Sequence, residues 1–311
     1  MQLITYQQHG QARCGALVDG KVVDLQRAAR VLLKAEERSN RWKEGLPDKM
    51  LDFLADGRDV LQKAKEVITF VQMEMASSAE SFSRRKILFK LKEVELLAPV
   101  PCPGKIICVG GNYPSSAMKL SPPEYPTLFL KPSSSVTGTG QPIKIPPIAH
   151  NVAYEVELAI VIGNMARNLP IGEALSCVIG YMVANDLSDR ELEKRTSQWT
   201  TGKMMDTFTP LGPALVTCDE VPEPGRLSVH TFLNGKMVQQ GNTADMYFDV
   251  PNLISYISSL TTLQPGDIVL TGSPKMIGAL PAPSIALRPG DFIEVEIDGL
   301  GRLNNPVIGE D

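Results

Sequence analysis

Glu155 and Glu157 stand one residue apart at the head of the apolar run Leu158, Ala159, Ile160, Val161, Ile162, in the stretch YEVELAIVIG. A run of that composition suits a strand buried on both faces. In a strand, side chains at i and i+2 share a face, so the two carboxylates would sit about 6–7 Å apart at the backbone and aim at one spot. Two like charges that close raise each other's pKa unless something positive lies between them. Two readings are open: the strand end is exposed and both glutamates point to water, or the pair holds a divalent cation. A third acid, Asp186, closes the apolar run of GYMVANDLSDRE. A lone Asp at a strand end is ordinarily a turn or capping residue. Taken with Glu155 and Glu157, it completes an oxygen donor set suited to Mg2+ or Mn2+, with Ca2+ as a further alternative, leaving positions for water and a chelating substrate.

Other chemistries find less support. The 311 residues are 43% hydrophobic and 21% charged, with a net charge of −4 and no basic block, which argues against nucleic acid as a partner. No apolar run reaches the length of a membrane span, and MQLITYQQHG has neither the charged nor the apolar region of a signal peptide, so no membrane partner is expected. Five scattered cysteines without a CxxC point to reduced thiols and a cytoplasmic setting. With only His9, His150 and His230 available, a histidine-rich zinc site is disfavoured. No GxGxxG precedes a helix, and GxxxxGK[ST], GxSxG and HExxH are all missing, so nucleotide cofactors lack support.

The elements that must position the three acids fall into two parts. Residues 1–75 read as a small α/β domain: a hairpin at Asp19-Gly20, then helical periodicity from about 25 to 72, broken at Gly57. The Ser-rich, charged MASSAESFSRRK opens a linker over 76–93. From 94 to 311, strand runs are punctuated by Pro and Gly, with a hairpin signal at Asn234-Gly235. One helix interrupts them, with Ser188 as its N-cap and Glu191 at the capping-box position. The expected class is α+β and β-rich: a mixed β-sandwich roll preceded by the small α/β domain.

From PVPCPGKIICVGGNY at 99–113 to LGRLNNPV at 300–307, the chain resembles the fumarylacetoacetate hydrolase family. The motifs run in order: GGNY, FLKPSSSVTG, YEVELAIVIG, GYMVANDLSDR, QWTTGKMMDTFTPLGP, LNGKMVQQGNT, LQPGDIVLTGSP and LRPGDFIEVEIDGLGRLNN. The resemblance implies a metal-binding β-roll, with Glu155, Glu157 and Asp186 as the ligands. It assigns Lys203 of TGKMMDTF and Arg190 to catalysis and substrate, and Tyr113 and Lys131 to substrate. Thr271, Gly272 and Ser273 of TGSP match a family turn whose hydroxyl and N–H groups hold a substrate carboxylate or carbonyl. The resemblance also implies a homodimer.

One departure bears on the reaction. Hydrolases of this family carry N-Y-x-x-H with a Glu three residues later, and that pair is thought to activate water. NYPSSAMK has Ser116 at the His position and Lys119 at the Glu position. A serine cannot replace imidazole as a base near neutral pH. A metal that chelates a 2-oxo acid can still stabilise the C3 enolate, with Lys203 as a proton shuttle if its pKa is lowered. The favoured reading is tautomerisation, isomerisation or decarboxylation of a 2-oxo acid or β-dicarbonyl of the acylpyruvate or oxaloacetate type. Carbon–carbon hydrolysis with a substitute base comes second, drawing on the SxxK spacing of Ser116 and Lys119 or on His150. A non-catalytic binding protein is the third reading.

Overall fold

A computed structural model describes residues 1–8, 10–35, 45–114, 122–274 and 286–310. Two of its hairpins follow directly from local chemistry. Asp19 and Gly20 have φ of 49° and 72°, and Asn234 and Gly235 have 52° and 77°. Paired positive φ values are what a two-residue turn needs to match the twist of its strands. The first turn folds Gln11–Val18 onto Lys21–Asp24, and the second folds Ser228–Leu233 onto Lys236–Asn242.

A large mixed sheet joins twelve of the described strands. At its centre the Val156–Ile162 strand lies antiparallel to Val178–Asn185 on one side and to Ile268–Leu270 on the other. The sheet continues through Thr209–Thr217 into the N-terminal strand Gln2–Gln8, so the N-terminal hairpin extends it. A smaller sheet contains Ser228–Leu233, Lys236–Asn242, Phe292–Ile297, Gly301–Gly309 and Ile143–Ile145.

All seven residues of Val156–Ile162 are buried, because the strand is covered on both faces. Ala159 and Val161 pack with Phe53, Val67 and Val71 of the N-terminal helices. Leu158, Ile160 and Ile162 pack with Val229 and Val295 of the smaller sheet and with Leu253, Ile254 and Ile257 of the Val250–Leu260 helix. The N-terminal helices on one side, and the smaller sheet with the Val250–Leu260 helix on the other, give the α+β architecture the sequence predicts.

The break at Gly57 is present, with φ of 67°, between the Met50–Ala55 and Asp59–Arg84 helices. The linker expectation is corrected at its start, because residues 76–84 form the last turns of the second helix. Its buried stripe of Val60, Ala64, Val67 and Val71 continues through Met75, Ala79 and Phe82 against the same core. Helical periodicity therefore persists, carried by a small residue and a thioether that hydropathy reads weakly. Among the described residues, no helix is long and apolar enough to cross a membrane.

Candidate metal centre and substrate cavity

Antiparallel pairing brings the acids together. Val156 pairs with Asn185 and Glu157 with Ala184, so the start of one strand lies beside the end of the next. The Asp186 N–H donates to the Glu155 carbonyl at 2.9 Å, and the Glu155 N–H donates to Asn185 Oδ1 at 3.1 Å. Each of Glu155, Glu157 and Asp186 offers a carboxylate oxygen, and these oxygens all lie within 4.8 Å of one another. Glu157 and Asp186 are buried, while the Glu155 side chain is a quarter exposed. The three acids line a cavity of about 320 Å³, together with Arg190, Lys194, Lys203, Phe129 and Trp199 among others.

Cations serve the three acids unequally. Lys203 Nζ donates to Asp186 Oδ2 at 2.6 Å and to Glu155 Oε2 at 3.0 Å, and it lies 3.7 Å from Glu193. Arg190 donates to Glu155 Oε1 at 2.6 Å and to Glu193 at 2.9 Å. Among the described residues, Glu157 receives only the Gly272 N–H, at 2.7 Å. Burial pushes the Glu155 pKa up, but Lys203 and Arg190 outweigh it and hold the group down at about 2. For Glu157, burial and then the charges of Asp186 and Glu155 drive the pKa well above its usual value. A buried carboxylate facing two others, with one backbone donor, is the local charge imbalance a hard dication relieves. The all-oxygen donor set therefore fits a divalent metal.

Short helices deliver the cations. Asp189 caps the Arg190–Glu193 turn, accepting the N–H groups of Glu191 at 3.0 Å and Leu192 at 2.8 Å. It also takes the N–H groups of His150 and Asn151, each at 2.7 Å, tying that loop to Arg190. The cap expected at Ser188 is thereby corrected, since the buried Ser188 hydroxyl has no partner among the described residues. A carboxylate with two acceptor oxygens outcompetes a hydroxyl for four donors. A second turn, Thr200–Lys203, carries Lys203 and packs tightly beneath the first. A Cβ on Gly202 would come within 2.5 Å of the Asp189 carbonyl, so only glycine permits that approach.

Several residues expected to contact substrate make contacts within the protein. The Lys131 side chain is wholly buried, and its ammonium grips Asp186 Oδ1 and the carbonyls of Leu187 at 3.2 Å and Phe208 at 2.7 Å. Saturated by three acceptors, it fixes Asp186 and does not line the cavity. The Thr271 hydroxyl donates to the Leu158 carbonyl at 3.1 Å, and the Gly272 N–H is committed to Glu157. Of that turn, Ser273 lines the cavity. Tyr113 is buried, and its phenol is raised by burial and then by Glu157. The shuttle role of Lys203 depends on a lowered pKa; burial lowers it, but Asp186 and Glu155 outweigh burial and keep it an ammonium. Ser116 and Lys119 lie outside the described residues. His150 is exposed and does not line the cavity.

Sequence reasoning missed Glu193 and Gln239. Glu193 is buried against Arg190 and Lys203, and its i+3 spacing from Arg190 was the available signal. Gln239, in the quoted motif LNGKMVQQGNT, accepts the Val156 N–H between the two glutamates at 3.3 Å and the Thr231 hydroxyl at 2.8 Å. Its amide donates to Ser273 Oγ at 2.8 Å and to the Pro274 carbonyl, joining the smaller sheet to both strands that hold Glu157.

Comparison with known proteins identifies the family. The profile of the Fumarylacetoacetate (FAA) hydrolase C-terminal family matches residues 105–308. The chain is 39% identical over 273 residues to the mitochondrial oxaloacetate tautomerase fahd2 of Xenopus laevis, covering 86% of this chain and 81% of the relative. It is 34% identical over 314 residues to the oxaloacetate tautomerase YisK of Bacillus subtilis, covering 99% and 100%. The maleylpyruvate hydrolase of Sphingobium sp. SYK-6, solved with manganese(II) ion and pyruvate, superposes over 100% of both chains with a TM-score of 0.72 at 27% identity.

Proposed function

Since the chain belongs to the fumarylacetoacetate hydrolase family, we propose that it is a divalent-metal-dependent tautomerase of a 2-oxo acid of the oxaloacetate type. The observation that carries this reading is the convergence of Glu155, Glu157 and Asp186 in one small cavity with a buried ammonium, Lys203. Glu155, Glu157 and Asp186 would hold Mg2+ or Mn2+, which when bound supplies a Lewis acid for the substrate's 2-oxo oxygen. The tautomerase names of the relatives and the manganese-bound hydrolase support the reaction and the ion.

This chain's own residues handle position and protons. Lys203, charged and 5.0 Å from the centroid of the Phe129 ring, would give its proton to C3 as the enol hydroxyl loses its own to water, and would take the C3 proton back in reverse. The carboxylates that keep Lys203 charged are those that would hold the ion, so filling the site and lowering the lysine's pKa go together. Arg190, at the cavity wall between Glu155 and Glu193, fixes the orientation of Glu155. Among the described residues no histidine lines the cavity, which leaves hydrolysis without an imidazole base and favours tautomerisation. A dication that stabilises negative charge on the 2-oxo oxygen also suits decarboxylation, in which the C3–C4 bond breaks to give CO2 and the enolate of pyruvate. The five free cysteines suit a reducing compartment such as the cytoplasm, and membership of the family carries a homodimer into the same reading.

Incubation with enol-oxaloacetate and Mg2+ or Mn2+ is expected to speed the decay of the enol absorbance, and a chelator is expected to remove the acceleration. No metal-dependent change across a panel of 2-oxo acids would overturn the proposal in favour of a binding protein.

A further inference from the structure

The cations that line the cavity are not equally committed. Arg190 is engaged by Glu155 and Glu193, and Lys203 by Glu155 and Asp186. Lys194 lines the same cavity, yet among the described residues its ammonium has no carboxylate or carbonyl partner. It follows the Arg190–Glu193 turn, with its N–H on the Glu191 carbonyl at 3.3 Å and its backbone still helical. Four residues past Arg190, it stays on the Arg190 side of the helix. Its side chain is exposed, so its charge stands at the cavity's edge while the other two cations stand deeper against the acids.

Among the described residues, the rest of that wall carries no competing cation. Phe129 and Trp199 meet edge-to-face with centroids 5.9 Å apart. A Cβ on Gly110 would come within 2.2 Å of the Trp199 indole, so the indole occupies the place of a missing side chain and narrows the space. Val109 and Ser273 add an apolar and a hydroxyl surface. With a dication held by the three acids, a 2-oxo acid bound through its C1 carboxylate and 2-oxo oxygen would extend its far end into this space.

We propose that Lys194 is a specificity-determining residue that reads the far carboxylate of a 2-oxo dicarboxylic acid, and that the cavity thereby selects such acids over acylpyruvates with a neutral tail. This rests on the 2-oxo-acid reading of the site. The ammonium is hydrated and free before binding, so the contact adds attraction without breaking an internal ion pair. Arg190 lacks that freedom, because a substrate carboxylate would have to displace Glu155 or Glu193.

The test compares enol-oxaloacetate with acetopyruvate, whose tail is an uncharged methyl ketone, in the wild type, Lys194→Ala and Lys194→Glu, all with Mg2+. Lys194→Ala is expected to raise KM for oxaloacetate about ten-fold, equivalent to about 1.4 kcal/mol. Lys194→Glu is expected to raise it further, and kcat for oxaloacetate and KM for acetopyruvate to stay within about two-fold. Added salt should weaken oxaloacetate binding to the wild type more than to Lys194→Ala. Equal changes for both substrates, or no change for oxaloacetate, would overturn the inference alone. A wild type that turns over neither substrate with metal present would overturn the 2-oxo-acid reading and this inference with it.

Discussion

Glu157→Gln is expected to abolish metal-dependent turnover while leaving a folded protein that is as stable as, or more stable than, the wild type in the absence of metal. Among the described residues, Glu157 is the acid without an ammonium partner, buried beside Asp186 and Glu155 and held by one backbone N–H. An amide keeps an oxygen to accept the Gly272 N–H and loses the buried charge. Partners that merely support a metal's ligands cost 10–100-fold when removed, so loss of a ligand itself should exceed about 100-fold in activity. The stabilisation that Mn2+ confers on the wild type, about 2.7 kcal/mol at a hundred times its Kd, should vanish with it.

The pH dependence of that variant follows from the same charges. In the metal-free wild type, Glu157 titrates well above its usual 4.5. Between those values the folded state keeps a proton that the unfolded chain has lost, so stability falls as pH rises through that window. Glu155 acts with the opposite sign. Held at about 2 against a usual 4.5, its contribution is complete above 4.5 and is lost as pH falls towards 2. Thermal melts in chelator should therefore show Glu157→Gln relieved of the decline above pH 4.5 while keeping the loss on the acid side. Unchanged Mn2+ affinity by calorimetry would show that Glu157 is no ligand.

Lys131→Met is expected to give the largest loss of stability. The ammonium is wholly buried and serves Asp186, the Leu187 carbonyl and the Phe208 carbonyl. Methionine fills much of the volume and satisfies none of the three acceptors. Removing one partner of a buried ion pair costs about 3–5 kcal/mol, because the remaining charge stays desolvated. At roughly 2–4 °C per kcal/mol, the melting temperature should fall on the order of 10 °C. Residual folded enzyme should show a raised metal requirement, since Asp186 loses its anchor. A variant that melted like the wild type and lost only substrate affinity would restore the reading of Lys131 as a substrate contact.

These two residues show where sequence is informative and where it falls short. The Glu155 and Glu157 pair was legible because a strand's two-residue period forces both side chains to one face, and the apolar run announced burial. Asp186 was legible because it ends the next strand, which antiparallel pairing returns to the start of the first. The turns at Asp19-Gly20 and Asn234-Gly235 were legible because positive φ is a property of those residues themselves. The burial of Lys131 was not legible because it depends on acceptors 55 to 77 residues away in sequence. Asp189 was hidden by Ser188, an equally good local cap, and the His150 and Asn151 donors that favour the carboxylate come from a distant loop. The last turns of the Asp59–Arg84 helix escaped because Ala79 holds the buried stripe with little hydrophobicity.

The central claim is that three acids from neighbouring strand ends bind a dication even though Lys203 already touches two of them. Crystals grown with Mn2+ and oxalate, measured at a wavelength where manganese scatters anomalously, test it most directly. The expected result is one anomalous peak bonded to oxygens of Glu155, Glu157 and Asp186 at the 2.0–2.3 Å typical of hard dications, with Lys203 shifted towards the ligand. An anomalous map with no peak there, and the ammonium still bridging Glu155 and Asp186, would contradict it.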